Sequence, residues 1–176
     1  MIKTKKIVAF LIVELVFAFL LFSNTNCKVY SFTGTTIPTD IKTVRVQYLE
    51  NKARYINPQL SPQLTDKLRQ KITNQTRLTQ VNNENADFDI SGYVSQYDVT
   101  TSGISAQQVA TNRLTVALNM TLVNRKEPDK DPKIFSVSRS FDFSASLSLQ
   151  QAEAQLIDEI LRNMTDEIFN RLFSDW

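Results

Sequence analysis

Cys27 has the clearest chemistry in this chain, because it is the single cysteine among 176 residues and it follows a segment with the pattern of an export signal. Three lysines lie within the first six residues, an apolar run covers residues 7–22 with Glu14 inside it, and polar residues follow. These are the three regions of a secretory signal, and the 16-residue run is shorter than the roughly 20 apolar residues that span a bilayer. We predict that residues 1–26 are a lipoprotein signal peptide and that Cys27 becomes the lipidated first residue, thioether-linked to a diacylglyceryl group.

The residues before Cys27 match a lipoprotein cleavage site only loosely. Bacterial lipoproteins usually carry Leu at position −3 and Gly, Ala or Ser at −1, whereas this chain has Asn24 and Asn26 there. An ordinary signal followed by a free cysteine and an uncleaved anchor therefore stay open as alternatives. We favour lipidation because an unpaired free thiol in an exported chain is open to oxidation.

Catalytic chemistry has few candidates, because the chain has no histidine and three glycines. These counts exclude Cys/His zinc sites, Ser-His-Asp or Cys-His nucleophilic sites, and the glycine-rich loops that bind nucleotides. Two carboxylate pairs remain: Asp87 with Asp89 on one face of a predicted strand, and Asp129 with Asp131 in a charged turn. Both pairs are ordinary in strand starts and turns, so we predict that the protein is not an enzyme and needs no metal or cofactor.

Charge is balanced overall but uneven along the chain. Removal of residues 1–26 takes away three lysines and one glutamate, which leaves 17 basic and 17 acidic residues. A domain without net positive charge disfavours nucleic-acid binding. Eight basic and two acidic residues lie between Lys42 and Arg77. This basic segment either forms a solvated helix face or provides a surface for an anionic ligand or membrane. In the second reading, Lys42 and Arg45 are the candidate contact residues.

Hydrophobic periodicity predicts one α+β domain over residues 41–176, joined to the lipid by a tether over residues 27–40. Large apolar residues alternate with small or polar ones from Leu114 to Leu122, and a four-residue apolar repeat runs from Ala152 to Leu172. Gly92 is expected to form a bulge that places Tyr93 and Tyr97 on one side. We predict strands at 43–48, 76–82, 88–99, 112–124 and 134–143, the last two as an antiparallel hairpin, and helices at 61–74 and 149–173.

This order of elements predicts a two-layer sandwich, in which two helices pack on one face of a four- to five-stranded sheet. The outer strand positions carry Thr, Ser, Asn and Arg, so the other sheet face is expected to be polar. Ser61 is the expected N-cap of the first helix, and Ser148 with Gln151 the capping box of the second.

Several short segments, in order and at similar spacing, resemble the LptE family of lipopolysaccharide-assembly lipoproteins. They lie at residues 27–34 (Cys-Lys-Val-Tyr-Ser-Phe-Thr-Gly), 37–44, 48–51, 57–61, 112–115, 168–170 and 175–176. The likeness covers the mature chain, and it depends on the whole set of segments because none of them is diagnostic alone.

The resemblance implies a fold of two helices on a four-stranded sheet and a role at the outer membrane. LptE proteins sit as a plug inside the β-barrel of LptD, support the assembly of that barrel, and bind lipopolysaccharide. The basic glycolipid contacts of the family are not transferred to positions in this chain, because no motif aligns on them. If the ligand of the basic segment is this anionic glycolipid, Lys42 and Arg45 are its candidate contacts. Two other classes stay open. One is a lipid-anchored accessory or binding subunit of another envelope transport system, and the other is an enzyme of unknown type, against which the absence of histidine argues.

Overall fold

The chain forms six strands and two helices within residues 37–101 and 111–174, which are the residues that this computed structural model describes. The predictions for Cys27, the signal peptide, the first part of the tether and the turn at Ser102 and Gly103 lie outside those residues. Strands β1 to β6 span Thr43–Val46, Glu50–Asn51, Thr79–Gln80, Phe88–Thr101, Thr111–Asn124 and Lys133–Ser144, and helices α1 and α2 span Leu60–Gln75 and Leu149–Phe173.

The sheet is mixed and has the strand order β3-β1-β4-β5-β6. Strand β1 runs parallel to β3 and β4, while β4, β5 and β6 are antiparallel neighbours. The predicted hairpin of the last two strands is therefore confirmed. The two-residue strand β2 pairs with β4 beyond the end of β1, so β1 and β2 together accompany one long strand.

The core lies between one face of this sheet and the two helices. In β5 the side chains of Leu114, Val116, Leu118 and Met120 are fully buried, while the residues between them are partly exposed. The inward side chains of the helices are fully buried as well: Leu64, Leu68 and Ile72 of α1, and Ile160, Met164 and Ile168 of α2. The predicted two-layer α+β sandwich is confirmed, and neither described helix packs on the other face of the sheet.

Helix α2 begins and ends where its sequence pattern predicts. Its capping box is formed: the Ser148 hydroxyl accepts from the Gln151 backbone N–H at 3.3 Å, and the Gln151 side chain accepts from the Ser148 N–H at 2.9 Å. These two bonds satisfy donors that a helix start otherwise leaves free.

The predicted N-cap of α1 is wrong. Helix α1 begins at Leu60, one residue before Ser61, and Ser61 is buried in the first turn. Asn57 instead organises the entry, since its side-chain oxygen accepts from the Gln59 N–H at 2.9 Å. Because Leu60 is fully buried, the start of the helix is determined by packing more than by a capping side chain.

The first strand also ends earlier than its alternation predicts. It stops at Val46, and Tyr48, which an unbroken strand over 43–48 would place on the same side as Val44 and Val46, is 54% exposed. Leu49 takes the inward position, with its N–H donating to the Thr65 hydroxyl of α1 at 3.1 Å. This break over residues 47–49 shifts the alternation by one, and short strand β2 follows in a segment predicted as a loop.

The bulge in β4 is near Ser95 and not at Gly92. The register shifts between Val94 and Gln96, so Tyr93 and Tyr97 lie on opposite sheet faces, with Tyr97 in the core. Gly92 has a packing reason instead: a Cβ atom there would lie 2.5 Å from the sulfur of Met120 and 2.7 Å from the backbone oxygen of Asn119.

Candidate functional site

The helix-free side of the sheet, which we call the polar sheet face, is a hydrogen-bonded surface. The Ser136 hydroxyl donates to the Asn119 side chain at 2.6 Å, and Asn119 donates in turn to the Tyr93 hydroxyl at 3.1 Å. Nearby, the Thr115 and Ser140 hydroxyls lie 3.0 Å apart. Most side chains on this face of β4, β5 and β6 are polar, and most remain exposed or partly exposed to solvent.

One end of the polar sheet face is organised by a buried carboxylate, Asp89, which is 6% exposed. Arg45 binds it with two hydrogen bonds, at 3.0 and 2.9 Å. Gln47 adds a bond at 3.0 Å and Arg125 one at 2.9 Å. We call these four residues the Asp89 cluster. Burial alone would raise the pKa of Asp89, but the hydrogen bonds from Arg45, Gln47 and Arg125 outweigh it and hold that pKa below its ordinary value.

Asp87 holds the start of β1 against the start of β4. Its side chain accepts from the backbone N–H groups of Lys42 and Thr43, both at 2.9 Å, and pairs with Lys126 at 3.1 Å. The two backbone bonds are the main reason that the pKa of Asp87 lies well below its usual range. Asp87 and Asp89 therefore serve the pairing of distant strands, and neither presents a free carboxylate for proton transfer.

The structure brings the two candidate glycolipid contacts, Lys42 and Arg45, to the same end of the sheet but gives them different surroundings. The Lys42 side chain is exposed and has no ion-pair partner among the described residues. The Arg45 side chain is 18% exposed. Its guanidinium is occupied by Asp89, with the remaining amino group 3.7 Å from Glu84. Lys42 is therefore the more accessible cation.

The remaining charges of the basic segment do not form one surface. Arg69 lies under the β1–β2 break and donates to the Val46 carbonyl at 2.8 Å, while Lys71 pairs with Asp166 of α2 at 2.9 Å. Arg77 donates to the carbonyls of Ile37 and Pro38 and so fixes the entry of the chain into the domain. Residues that are close in sequence are thus divided between the sheet, the helices and the tether.

Sequence reasoning missed Asp89 and Arg125 as parts of a cluster. The available signal was the position of Asp89 between two apolar residues, Phe88 and Ile90, inside a predicted strand, since a carboxylate that is buried there needs a partner. Within residues 37–101 and 111–174 there is no group of three or more acidic, His or Cys residues that could hold a metal ion. Neither α1 nor α2, the helices of those ranges, has the length and apolar character needed to cross a membrane.

The fold and the polar sheet face together define a class, that of small two-layer α+β domains with one helix-covered sheet face and one polar, hydrogen-bonded face. Comparison of sequences makes the assignment specific: the model of the LptE family, described as lipopolysaccharide-assembly, matches residues 41–172. The chain belongs to the LptE family, which places it among the lipoproteins of lipopolysaccharide assembly.

Solved structures of other proteins share the fold at low identity. A homologue of neuraminyllactose-binding haemagglutinin from Helicobacter pylori is 14% identical with a TM-score of 0.53, and the match covers 76% of this chain and 84% of that one. A protein from Xanthomonas campestris is 13% identical with a TM-score of 0.50 and the same coverage. These similarities show a common fold alone. Curated protein sequences include no significant match to the chain.

Proposed function

We propose that this protein is a non-catalytic outer-membrane lipoprotein that acts as plug and assembly partner of the LptD β-barrel in lipopolysaccharide transport. The observation that carries the proposal is the family match, which extends over residues 41–172 and so over nearly all of the described domain. The resemblance of the short segments from Cys27 onward points to the same family.

The polar sheet face supports this proposal on physical grounds. The lumen of a large outer-membrane barrel is polar, and the Ser, Thr, Asn and Tyr side chains of this face provide hydrogen-bonding groups to match it. The 14 residues of β5 extend about 46 Å, a length comparable to the full thickness of a bilayer with its headgroups.

The free edge of the sheet is a second supporting feature. No strand in the described part of the chain pairs with the outer edge of β6, which is 12 residues long and has no bulge in its pairing with β5. Such an edge is a template for unwanted strand pairing. Enclosure by a barrel would shield this edge from such pairing, which favours a protein that is bound inside a partner over one that is free.

Co-purification tests the proposal directly. Affinity capture of the full-length protein from detergent-solubilised outer membranes should yield LptD in equal amount, in a complex that resists protease. Depletion of the protein should leave LptD misassembled and reduce lipopolysaccharide at the cell surface. A lipoprotein that never co-purifies with a barrel, in cells with normal lipopolysaccharide export after depletion, would favour the accessory subunit of another transport system.

We also propose that the chain is divided into a signal peptide over residues 1–26, a tether over 27–40 and the LptE domain over 41–176, with Cys27 lipidated. The expected result is a diacylglyceryl-cysteine at the mature N-terminus, detected by mass spectrometry of the purified protein. An unmodified thiol at Cys27, or a mature N-terminus at another residue, would contradict lipidation while leaving the family assignment intact. Cys27→Ala should retain part of the function if LptD, more than the lipid, holds the domain.

Lys42 and Arg45 are our proposed contacts to the phosphates of lipopolysaccharide. Lys42→Glu should weaken binding of lipopolysaccharide to the full-length protein by roughly two- to fivefold, the range of an exposed charge pair, and should lower the salt dependence of binding. Arg54→Glu is the matched control, since Arg54 is also exposed and belongs to the same basic segment. Equal effects of the two variants would show that the segment acts only through its overall charge.

Arg45 needs a different substitution, because glutamate there would face Asp89 and disturb the fold. Arg45→Lys keeps the positive charge but loses the two-bond pairing that only a guanidinium forms. We expect this variant to lower lipopolysaccharide affinity less than Lys42→Met does, because Arg45→Lys keeps its charge and Lys42 is the more accessible cation. An Arg45→Lys protein with unchanged affinity would limit the role of Arg45 to the Asp89 cluster.

A further inference from the structure

An open groove of about 590 Å³ lies between α1 and α2, on the side of the helices away from the sheet core. Each helix lines it with residues spaced three or four apart, such as Lys67, Gln70 and Lys71 on α1 and Asp158 and Arg162 on α2. This spacing places them on one face of each helix. We call this space the interhelical groove. All the side chains that line it are polar or charged.

The charges of the interhelical groove are only partly neutralised within the domain. Lys71 is held in place, with its ammonium 2.9 Å from Asp166 and 5.1 Å from the centre of the Phe169 ring. Lys67 and Arg162 have no ion-pair partner in the described part of the chain, although both are charged and line the same space. Three cations thus face two carboxylates, Asp158 and Asp166, and the groove keeps an excess of positive charge.

Thr165 in the wall of the groove is a second, independent feature. It is 4% exposed, and its hydroxyl has no hydrogen-bond partner among the described residues. Threonines of α1 behave differently: Thr65 and Thr73 donate to the carbonyl four residues earlier, at 2.7 and 3.0 Å. A buried hydroxyl without a partner needs an explanation. Because threonine in a helix has two accessible χ1 rotamers, a rotation can turn this hydroxyl toward the groove.

We propose that the interhelical groove binds a phosphate group, free or carried on a larger molecule. Lys67 and Arg162 supply charge-assisted hydrogen bonds from opposite helices, Lys71 adds a third positive charge, and Gln70 and Thr165 supply neutral donors. A phosphate monoester carries a charge between about −1.5 and −2 and three strong acceptor oxygens. It can therefore engage both walls at once, with more charge and one more acceptor oxygen than a single carboxylate has. This site lies among the helices, apart from the polar sheet face, and it does not depend on the proposed role with LptD.

Titration of the full-length protein in detergent with inorganic phosphate tests the site. Amide NMR signals of Gln70 and Thr165 should shift on addition of phosphate, and succinate at equal ionic strength should have a much smaller effect.

Three charge variants test which side chains bind the phosphate. Arg162→Glu should weaken phosphate binding at least tenfold. Arg54→Glu, a charge reversal at an exposed arginine outside the groove, should leave binding unchanged. Asp158→Asn should strengthen it, because the variant removes a repelling carboxylate.

Thr165→Val adds a readout that general surface charge would not produce. It should weaken phosphate binding while raising the melting temperature of the free protein, since it removes a buried hydroxyl that has no partner. Thr65→Val is the control: it loses the bonds to Leu49 and Ser61, so its melting temperature should fall while phosphate affinity stays unchanged.

The source of the phosphate is distinguished by a second titration, with dodecyl phosphate in mixed micelles. Binding that is at least tenfold tighter than that of inorganic phosphate, and that is lost in Arg162→Glu, assigns the groove to a lipid-borne phosphate. Equal affinities assign it to a free one. Equal phosphate binding by Arg162→Glu and Arg54→Glu, or equal responses to phosphate and succinate, would overturn the proposal.

Discussion

Ile160→Asp will unfold the domain at room temperature, because it places a carboxylate in the middle of the core. Ile160 is fully buried in the apolar stripe of α2 that packs on the sheet. Loss of such a side chain costs about 2–5 kcal/mol, and burial of an unpaired carboxylate adds several more. The total cost is comparable to the 5–15 kcal/mol that typically stabilises a domain. Circular dichroism during thermal and urea unfolding measures the result.

Gln155→Asp is the matched control for this substitution. Gln155 lies in the same helix and is exposed, so the same new carboxylate should change the stability by less than about 0.5 kcal/mol. If Ile160→Asp instead keeps the melting temperature of the wild-type protein, α2 does not dock on the sheet through this stripe, and the two-layer arrangement is wrong.

Asp89→Ala should lower the free energy of unfolding by about 3 kcal/mol, the lower end of the range for a broken buried ion pair. The variant leaves Arg45, which is 18% exposed, without its carboxylate, while the more exposed Arg125 regains water. Urea unfolding at pH 7 measures the change. Asp142→Ala is the control, because the pair of Asp142 with Arg113 is about half exposed on both sides and should contribute less than about 1 kcal/mol. Equal losses of unfolding free energy in the two variants would show that burial does not make the ion pairs of Asp89 more stabilising than an exposed pair.

The same carboxylate makes the stability depend on pH in a defined direction. The pKa values of Asp87 and Asp89 are lowered in the folded protein, whereas an unfolded aspartate titrates near pH 3.9. Below about pH 4 the unfolded chain therefore binds more protons, so stability falls as pH decreases and is lost through the range of the folded pKa values. Asp89→Asn should flatten this decline between pH 5 and pH 2.5, and an unchanged slope would contradict the assignment.

The sequence alone determined the elements whose hydrophobic period is long and unbroken. Strand β5 and helix α2 were predicted nearly to the residue, because a period of two or of 3.6 residues is a local property repeated many times in each. The capping box at Ser148 is local as well, since its two partners are three residues apart. The α+β class and the polar character of one sheet face followed from the same patterns.

Other features were decided by contacts between distant residues, which no local pattern contains. The break after Val46 depends on Thr65 of α1 and on two successive pairings with β4. An alternation continued through Tyr48 therefore placed that side chain on the buried side, whereas it is exposed. The Asp89 cluster joins Arg45 to Asp89, 44 residues away, and adds Arg125, 36 residues further on. The interhelical groove requires α1 and α2 to pack side by side. Periodicity can assign a face to each side chain, but only the tertiary structure determines which charges meet across it and which remain without a partner.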